Sequence, residues 1–158
     1  MRNRPLLLLL FLPLLLCACD QRAPAARTFS LTPFTAAGEL NWRGRAYTAS
    51  LCRGEDGVLT VSVKNGLLPR PVVFCAGEES EGMELGALSL RLPNGAGAPK
   101  NVAACLREAF LSLEGAQAEQ DGLWKGEGCS LSFDENGAWQ TLTLSGGLLR
   151  FQHVSFAA

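Results

Sequence analysis

From Phe34 onward apolar and polar residues alternate in short runs separated by turn-forming pairs, the pattern of strands joined by hairpins. Residues 34–42 (FTAAGELNW) and 45–53 (RAYTASLCR) flank Arg43-Gly44. A two-residue turn there pairs Leu40 with Tyr47, Gly38 with Ala49 and Ala36 with Leu51 on one small and apolar face. Glu39 with Thr48 and Ala37 with Ser50 occupy the other. A three-residue loop at Glu55-Asp56-Gly57, with glycine in the left-handed position, pairs Leu51 with Val61 and Ala49 with Val63. It also sets Cys52 beside Thr60 and Ser50 beside Ser62 on the polar face. Two turn assignments made separately bury the same face, which predicts a meander. Further strands are expected over 72–76 and around Met83 to Leu92, after the acidic turn Glu78-Glu79-Ser80-Glu81-Gly82.

Between residues 100 and 113 the period changes. Val102, Cys105/Leu106, Ala109/Phe110 and Leu113 recur at helical spacing and form one apolar stripe suited to covering a sheet. Strand patterning then returns, with turns at Gln120-Asp121-Gly122, Asn136-Gly137 and Gly146-Gly147. Centred on Asn136-Gly137, Leu131 faces Leu142 and Cys129 faces Leu144. The Gly146-Gly147 turn predicts Leu144 against Leu149, Leu142 against Phe151 and Gln140 against His153. This order predicts a mainly β (α+β) domain. Its form is a curved antiparallel sheet or half-barrel of about eight to ten strands, with one amphipathic helix on the concave face.

The N-terminus follows neither pattern. Arg2 and Arg4 precede an apolar run from Leu6 to Leu16, broken only by Pro13. That run falls short of the roughly 20 residues a membrane-spanning helix needs and suits the core of a signal peptide. It ends in Leu16-Cys17-Ala18-Cys19, which resembles the bacterial lipobox and implies cleavage before Cys19 with diacylglycerol on its thiol. Cys17 fits less well, because bulky Leu16 would adjoin the cut. The expected organisation is a lipoprotein signal peptide over 1–18, a tether over 19–32 rich in Ala, Pro and Arg, and one β-rich domain over 33–158. The expected location is extracytoplasmic, with the membrane as partner through Cys19.

Composition narrows the function classes. Without Arg2 and Arg4 the chain keeps twelve basic and fifteen acidic residues, a balance that recommends neither nucleic acid nor an anionic surface as partner. His153 is the single histidine; it lies near the apolar C-terminus with no nucleophile motif beside it. There is no G-x-S-x-G, phosphate-binding loop or dinucleotide fingerprint, and the glutamates at 78–81 lack a calcium-loop pattern. No enzyme activity, cofactor or metal site is expected.

Four cysteines follow Cys19: Cys52, Cys75, Cys105 and Cys129. Export permits disulfides, and the spacings match no zinc module. With a strand between them, Cys52 and Cys75 would lie roughly 9–10 Å apart, beyond the ~7 Å limit of a bridge. Cys105 with Cys75 or with Cys129 remains, as do four free thiols packed as small apolar groups.

The Leu16–Cys19 motif, the opening pair Phe34 to Arg53 with its Tyr47-Thr48-Ala49 centre, and the closing segment LSFDENGAWQTLTLSG (131–146) resemble the lipoprotein-carrier superfamily (LolA/LolB/LppX-like). More closely, the chain looks like small lipoproteins of clostridial-type bacteria with that architecture. The resemblance implies a half-barrel that holds acyl chains or other apolar groups between sheet and helix. The cavity residues would be Leu40, Tyr47, Leu51, Val61, Leu106, Phe110, Leu142 and Phe151. Carriers of this kind usually open with an amphipathic helix, whereas here a polar tether precedes Phe34. The expected function is a membrane-anchored, non-enzymatic binding module for lipid or another apolar ligand. The alternative is an envelope interaction or assembly protein with a packed core and no cavity, contacting a protein partner through aromatics such as Trp42 and Trp139.

Overall fold

The computed structural model describes residues 28–67, 69–94, 100–119 and 122–157. Cys19, the lipobox and the turn residues Gln120-Asp121 lie outside that range. Ten strands run β1 (Phe34–Trp42), β2 (Arg45–Arg53), β3 (Leu59–Lys64), β4 (Val72–Ala76), β5 (Ser80–Leu85), β6 (Leu88–Pro93), β7 (Leu123–Gly126), β8 (Cys129–Phe133), β9 (Trp139–Leu144) and β10 (Gly147–Phe156). The helix α1 (Val102–Leu113) falls between β6 and β7. All strands join one antiparallel sheet in the order β6-β5-β4-β3-β2-β1-β10-β9-β8-β7. The sheet is curved and unclosed, as expected.

The two meanders meet where β1 pairs with β10, from Phe34 against Phe156 to Trp42 against Gly147. The first two hairpins have the expected registers: Leu40 faces Tyr47, Ala36 faces Leu51, and Leu51 faces Val61. Arg43 and Gly44 both take positive φ, 50° and 76°, the two-residue geometry whose twist matches that of the flanking strands. Around Asn136-Gly137, Leu131 faces Leu142 and Cys129 faces Leu144.

Four expectations need correction. The strand expected over Met83 to Leu92 is a hairpin, β5–β6, with Leu85 opposite Leu88. Gly86 at φ 61° turns the chain there. The last hairpin turns at Ser145-Gly146, so Leu149 faces Leu142 and Gly147 faces Leu144. A two-residue slip preserves the faces, which is why alternation alone did not detect it. Trp139 was expected among the aromatics that would contact a partner at the surface. It is buried instead (6% exposed), because the β8–β9 register shifts between Ser132 and Phe133 and skips Gln140. The extra residue turns Trp139 inward. Ordered packing also begins before residue 33. Thr28 bridges to Gln117, and Phe29 is buried against Trp124 and Trp139 at centroid distances of 5.3 and 5.7 Å.

No bridge forms among Cys52, Cys75, Cys105 and Cys129; all four are free thiols. Thr60 stands between Cys52 and Cys75 on the intervening strand. The alternation along β4 puts Cys75 on the convex face, away from α1, so Cys105 cannot reach it. Cys129 lies against the last turns of α1, with its Sγ 3.0 Å from Ser112 Oγ and donating to the Ala109 carbonyl. That position is a turn or more beyond Cys105.

Helix α1 bridges the trough from the β3–β4 wall to the β7–β8 wall. Its twelve residues span about 18 Å. The sheet between β4 and β7 measures about 34 Å along its arc, so the sheet must curl strongly for one helix to span it. Phe110 (1% exposed) fills the centre, against Phe34 at 5.2 Å and stacked on Trp139 at 5.4 Å.

Candidate functional site

A helix about 10–12 Å in diameter cannot cover nine-residue strands about 30 Å long. Where α1 lies across the trough therefore decides which part stays open. Its N-terminus is tied down by Asn101, whose side chain accepts from the Ala104 N–H at 2.9 Å as the helix cap. The same side chain donates to the carbonyls of Cys75 (3.3 Å) and Gly82 (3.2 Å), and the Asn101 N–H donates to Glu81 Oε2. At the other end, the Gly115 N–H donates to the Phe29 carbonyl and the Phe29 N–H to the Ala116 carbonyl. The Leu31 N–H donates to Glu114 Oε2 at 2.6 Å. These ties hold α1 over the strand ends that carry Phe34, Leu51, Leu59 and Ala76.

The opposite half of the concave face has no roof among the described residues. There Leu40, Trp42, Tyr47, Val63, Val72 and Phe74, with Val102 from the start of α1, line a groove of about 340 Å³. Cross-strand pairing extends this apolar surface outward. Phe74 faces Met83, Met83 faces Leu90 and Leu85 faces Leu88. Leu88 is 73% exposed and Leu90 51%. Arg43 and Lys100 stand at the rim. Lys100 is ion-paired with Glu108, which raises its pKa. The Arg43 guanidinium instead lies over the Trp42 ring, 5.9 Å from its centroid.

Two further hollows are less suited to an apolar ligand. The larger, about 700 Å³, spills round the strand ends past Glu39, Asn41, Thr48 and Arg150 and adjoins the groove at Leu40 and Tyr47. Another of about 370 Å³ lies on the convex face among Asp56, Thr60, Cys75, Glu84 and Arg91.

Of the eight cavity residues expected, only Leu40 and Tyr47 line the groove, and Leu40 is itself buried at its floor, 1% exposed. Leu51, Val61, Leu106, Phe110 and Leu142 are buried in the core, and Phe151 packs against it, 5.5 Å from Trp139. Directly under α1 these side chains pack together, with Phe110 against Phe34 and Trp139. Trp42, Val63, Val72, Phe74 and Val102 were missed. Val63 and Val72 follow from the alternation, but membership of the open half needs the helix position. Trp42, expected on an exposed surface, is half-buried in the groove wall.

His153 is exposed on β10 opposite Ala37. Among the described residues no group of three or more His, Cys, Asp or Glu side chains could hold a metal ion. Glu81 of the acidic segment instead anchors the helix start. No described helix is long and apolar enough to cross a membrane. Comparison with protein-family models and with curated sequences finds no match.

Proposed function

We propose that this chain is an extracytoplasmic, lipid-anchored binding module without catalytic activity that holds the acyl chain of an anionic amphiphile in the open half of its trough. The uncovered groove carries this reading. An apolar floor of Leu40, Tyr47, Val63, Val72 and Phe74 leads to a rim where Arg43 has no carboxylate partner among the described residues. Its 340 Å³ stands at the lower end of the roughly 300–1,000 Å³ range of ligand pockets, which suits one chain better than two. The cation at its edge complements a phosphate or carboxylate head.

The anchor rests on the sequence. Diacylglycerol at Cys19, with palmitate or another acyl group on the new N-terminus, gives stable attachment where a single chain would not. The excess of acidic residues favours neither nucleic acid nor an anionic membrane surface as an additional partner.

Native mass spectrometry of the full chain released from membranes tests both parts. Covalent anchor lipid persists on denaturation, whereas groove lipid is seen only in native spectra. Added dansyl-labelled fatty acid should brighten on binding, and Phe74→Asp should abolish that signal while the anchor mass stays. A protein free of non-covalent lipid and silent to the dye overturns the groove reading. A mature mass without acyl groups at Cys19 overturns the anchor.

A further inference from the structure

The two edges of the sheet are finished differently. Edge β7 has four residues, and its Lys125 is ion-paired with Glu119 at 2.7 Å. Glu119 also bridges to Leu123, so neighbouring chain folds over that edge. Edge β6 has six residues (LSLRLP), pairs on one side only among the described residues, and exposes Leu88 and Leu90. A long apolar edge of this kind is a template for another strand.

We propose that β6 pairs antiparallel with β6 of a second copy of this chain, about a two-fold axis at Leu90. The hydrogen-bond phase favours this register. Leu85 and Leu88 flank a two-residue turn, so they bond to each other, as do alternate pairs beyond them. Leu88, Leu90 and Leu92 therefore direct their backbone groups toward β5. Ser89 and Arg91 direct theirs outward, and Pro93, the next outward position, has no N–H to offer.

With Leu90 on the axis, Ser89 lies opposite the partner's Arg91 and Arg91 opposite the partner's Ser89, giving four backbone hydrogen bonds. Leu90 meets the partner's Leu90 in the close, non-bonded position, and Leu88 meets the partner's Leu92. Sliding two residues one way sets Arg91 against itself, a like-charge pair. Sliding the other way sets Leu92 against Gly86. The order apolar–polar–apolar–polar–apolar over 88–92 is symmetric about Leu90, which favours a second copy over an unrelated strand. The result is an isologous dimer in which the open troughs run together across the join. This pairing does not depend on what the groove holds.

Light scattering and native mass spectrometry of the full chain in detergent read the outcome. Wild type should be dimeric across the micromolar range. Leu90→Lys and Leu90→Glu should each weaken association about tenfold or more by placing like charges face to face. An equal mixture of the two variants should restore a dimer holding one of each. Ser89→Pro, which removes an outward donor that the monomer does not use, should weaken association without changing the circular dichroism spectrum. A monomeric wild type, including one that takes up only another protein's strand, overturns the proposal. A dimer indifferent to Ser89→Pro and to both charged variants also overturns it.

Discussion

Phe110 and Phe74 look toward the same concave face, yet they belong to different kinds of surface. Phe110 lies under α1 in an aromatic cluster with Phe34 and Trp139, fully excluded from water. Phe74 stands beside the start of α1, at the margin of its cover, half-buried and lining an open groove with Val102. One apolar sheet face thus serves as a packed core at one end of its strands and, at the other, offers the half-buried side chains of Trp42, Tyr47, Val72 and Phe74 around the buried Leu40 and Val63. Apolar patterning specifies that a face is apolar. What covers it is set elsewhere, here by α1 and the side chain that fixes its start.

The largest effect expected breaks the comparison directly. Phe110→Ala removes a ring from a filled interior and should cost about 3–5 kcal/mol of unfolding free energy. Phe74→Ala should cost only about 1 kcal/mol, because its ring already meets solvent on one side. Urea unfolding of the two variants measures both. Equal losses would mean that the open half is covered as thoroughly as the roofed half.

An intermediate effect is expected at Asn101, which sets the boundary between the halves. Asn101→Ala loses the helix cap, about 0.5–2 kcal/mol, and also leaves the Cys75 and Gly82 carbonyls without their donor. Asn101→Asp keeps an acceptor for the Ala104 N–H but loses both donations to β4 and β5. If position matters beyond capping, Asn101→Asp should retain helix content by circular dichroism and still unfold more readily. Hydrogen exchange should then rise over 102–106. An Asp variant as stable as wild type would reduce Asn101 to an ordinary cap.

The difference between the halves also explains which features could be read from the sequence. The registers of β1 with β2 and of β2 with β3 were legible, because Arg43-Gly44 and Glu55-Asp56-Gly57 are short turns and a one-residue slip would expose Leu51 and Val61. The helix was legible from its stripe. Trp139 was misplaced because a bulge has no compositional mark: nothing in Gln140 announces that it will be skipped. The β5–β6 hairpin was read as one strand because Leu85-Gly86-Ala87-Leu88 is nearly all apolar, with Gly86 its only turn residue. The groove was half legible. Leu40 and Tyr47 follow from pairing, but separating them from Leu51 and Val61 requires knowing that Asn101 ties α1 to the Cys75 end of the sheet.

The smallest effect sharpens the boundary from the helix side. Burial, followed by the neighbouring Glu108 carboxylate, pushes the Cys105 thiol up from its usual range. A thiol raised in the folded state stays protonated after the unfolded chain has begun to ionise. Its contribution to stability is therefore complete below the ordinary thiol range, about 8.5, and is lost as pH rises through the folded value. Wild type should lose slightly more stability than Cys105→Ala between pH 7 and pH 10 in denaturant titrations. Alkylation should also mark Cys52, which is exposed on the convex side, before Cys105. Loosening the start of α1 by Asn101→Ala should bring the Cys105 rate toward that of Cys52. Were Cys105 already as reactive as Cys52 in wild type, the roof would be open at its groove end, and the sharp division between a packed half and an open half would give way to a gradient.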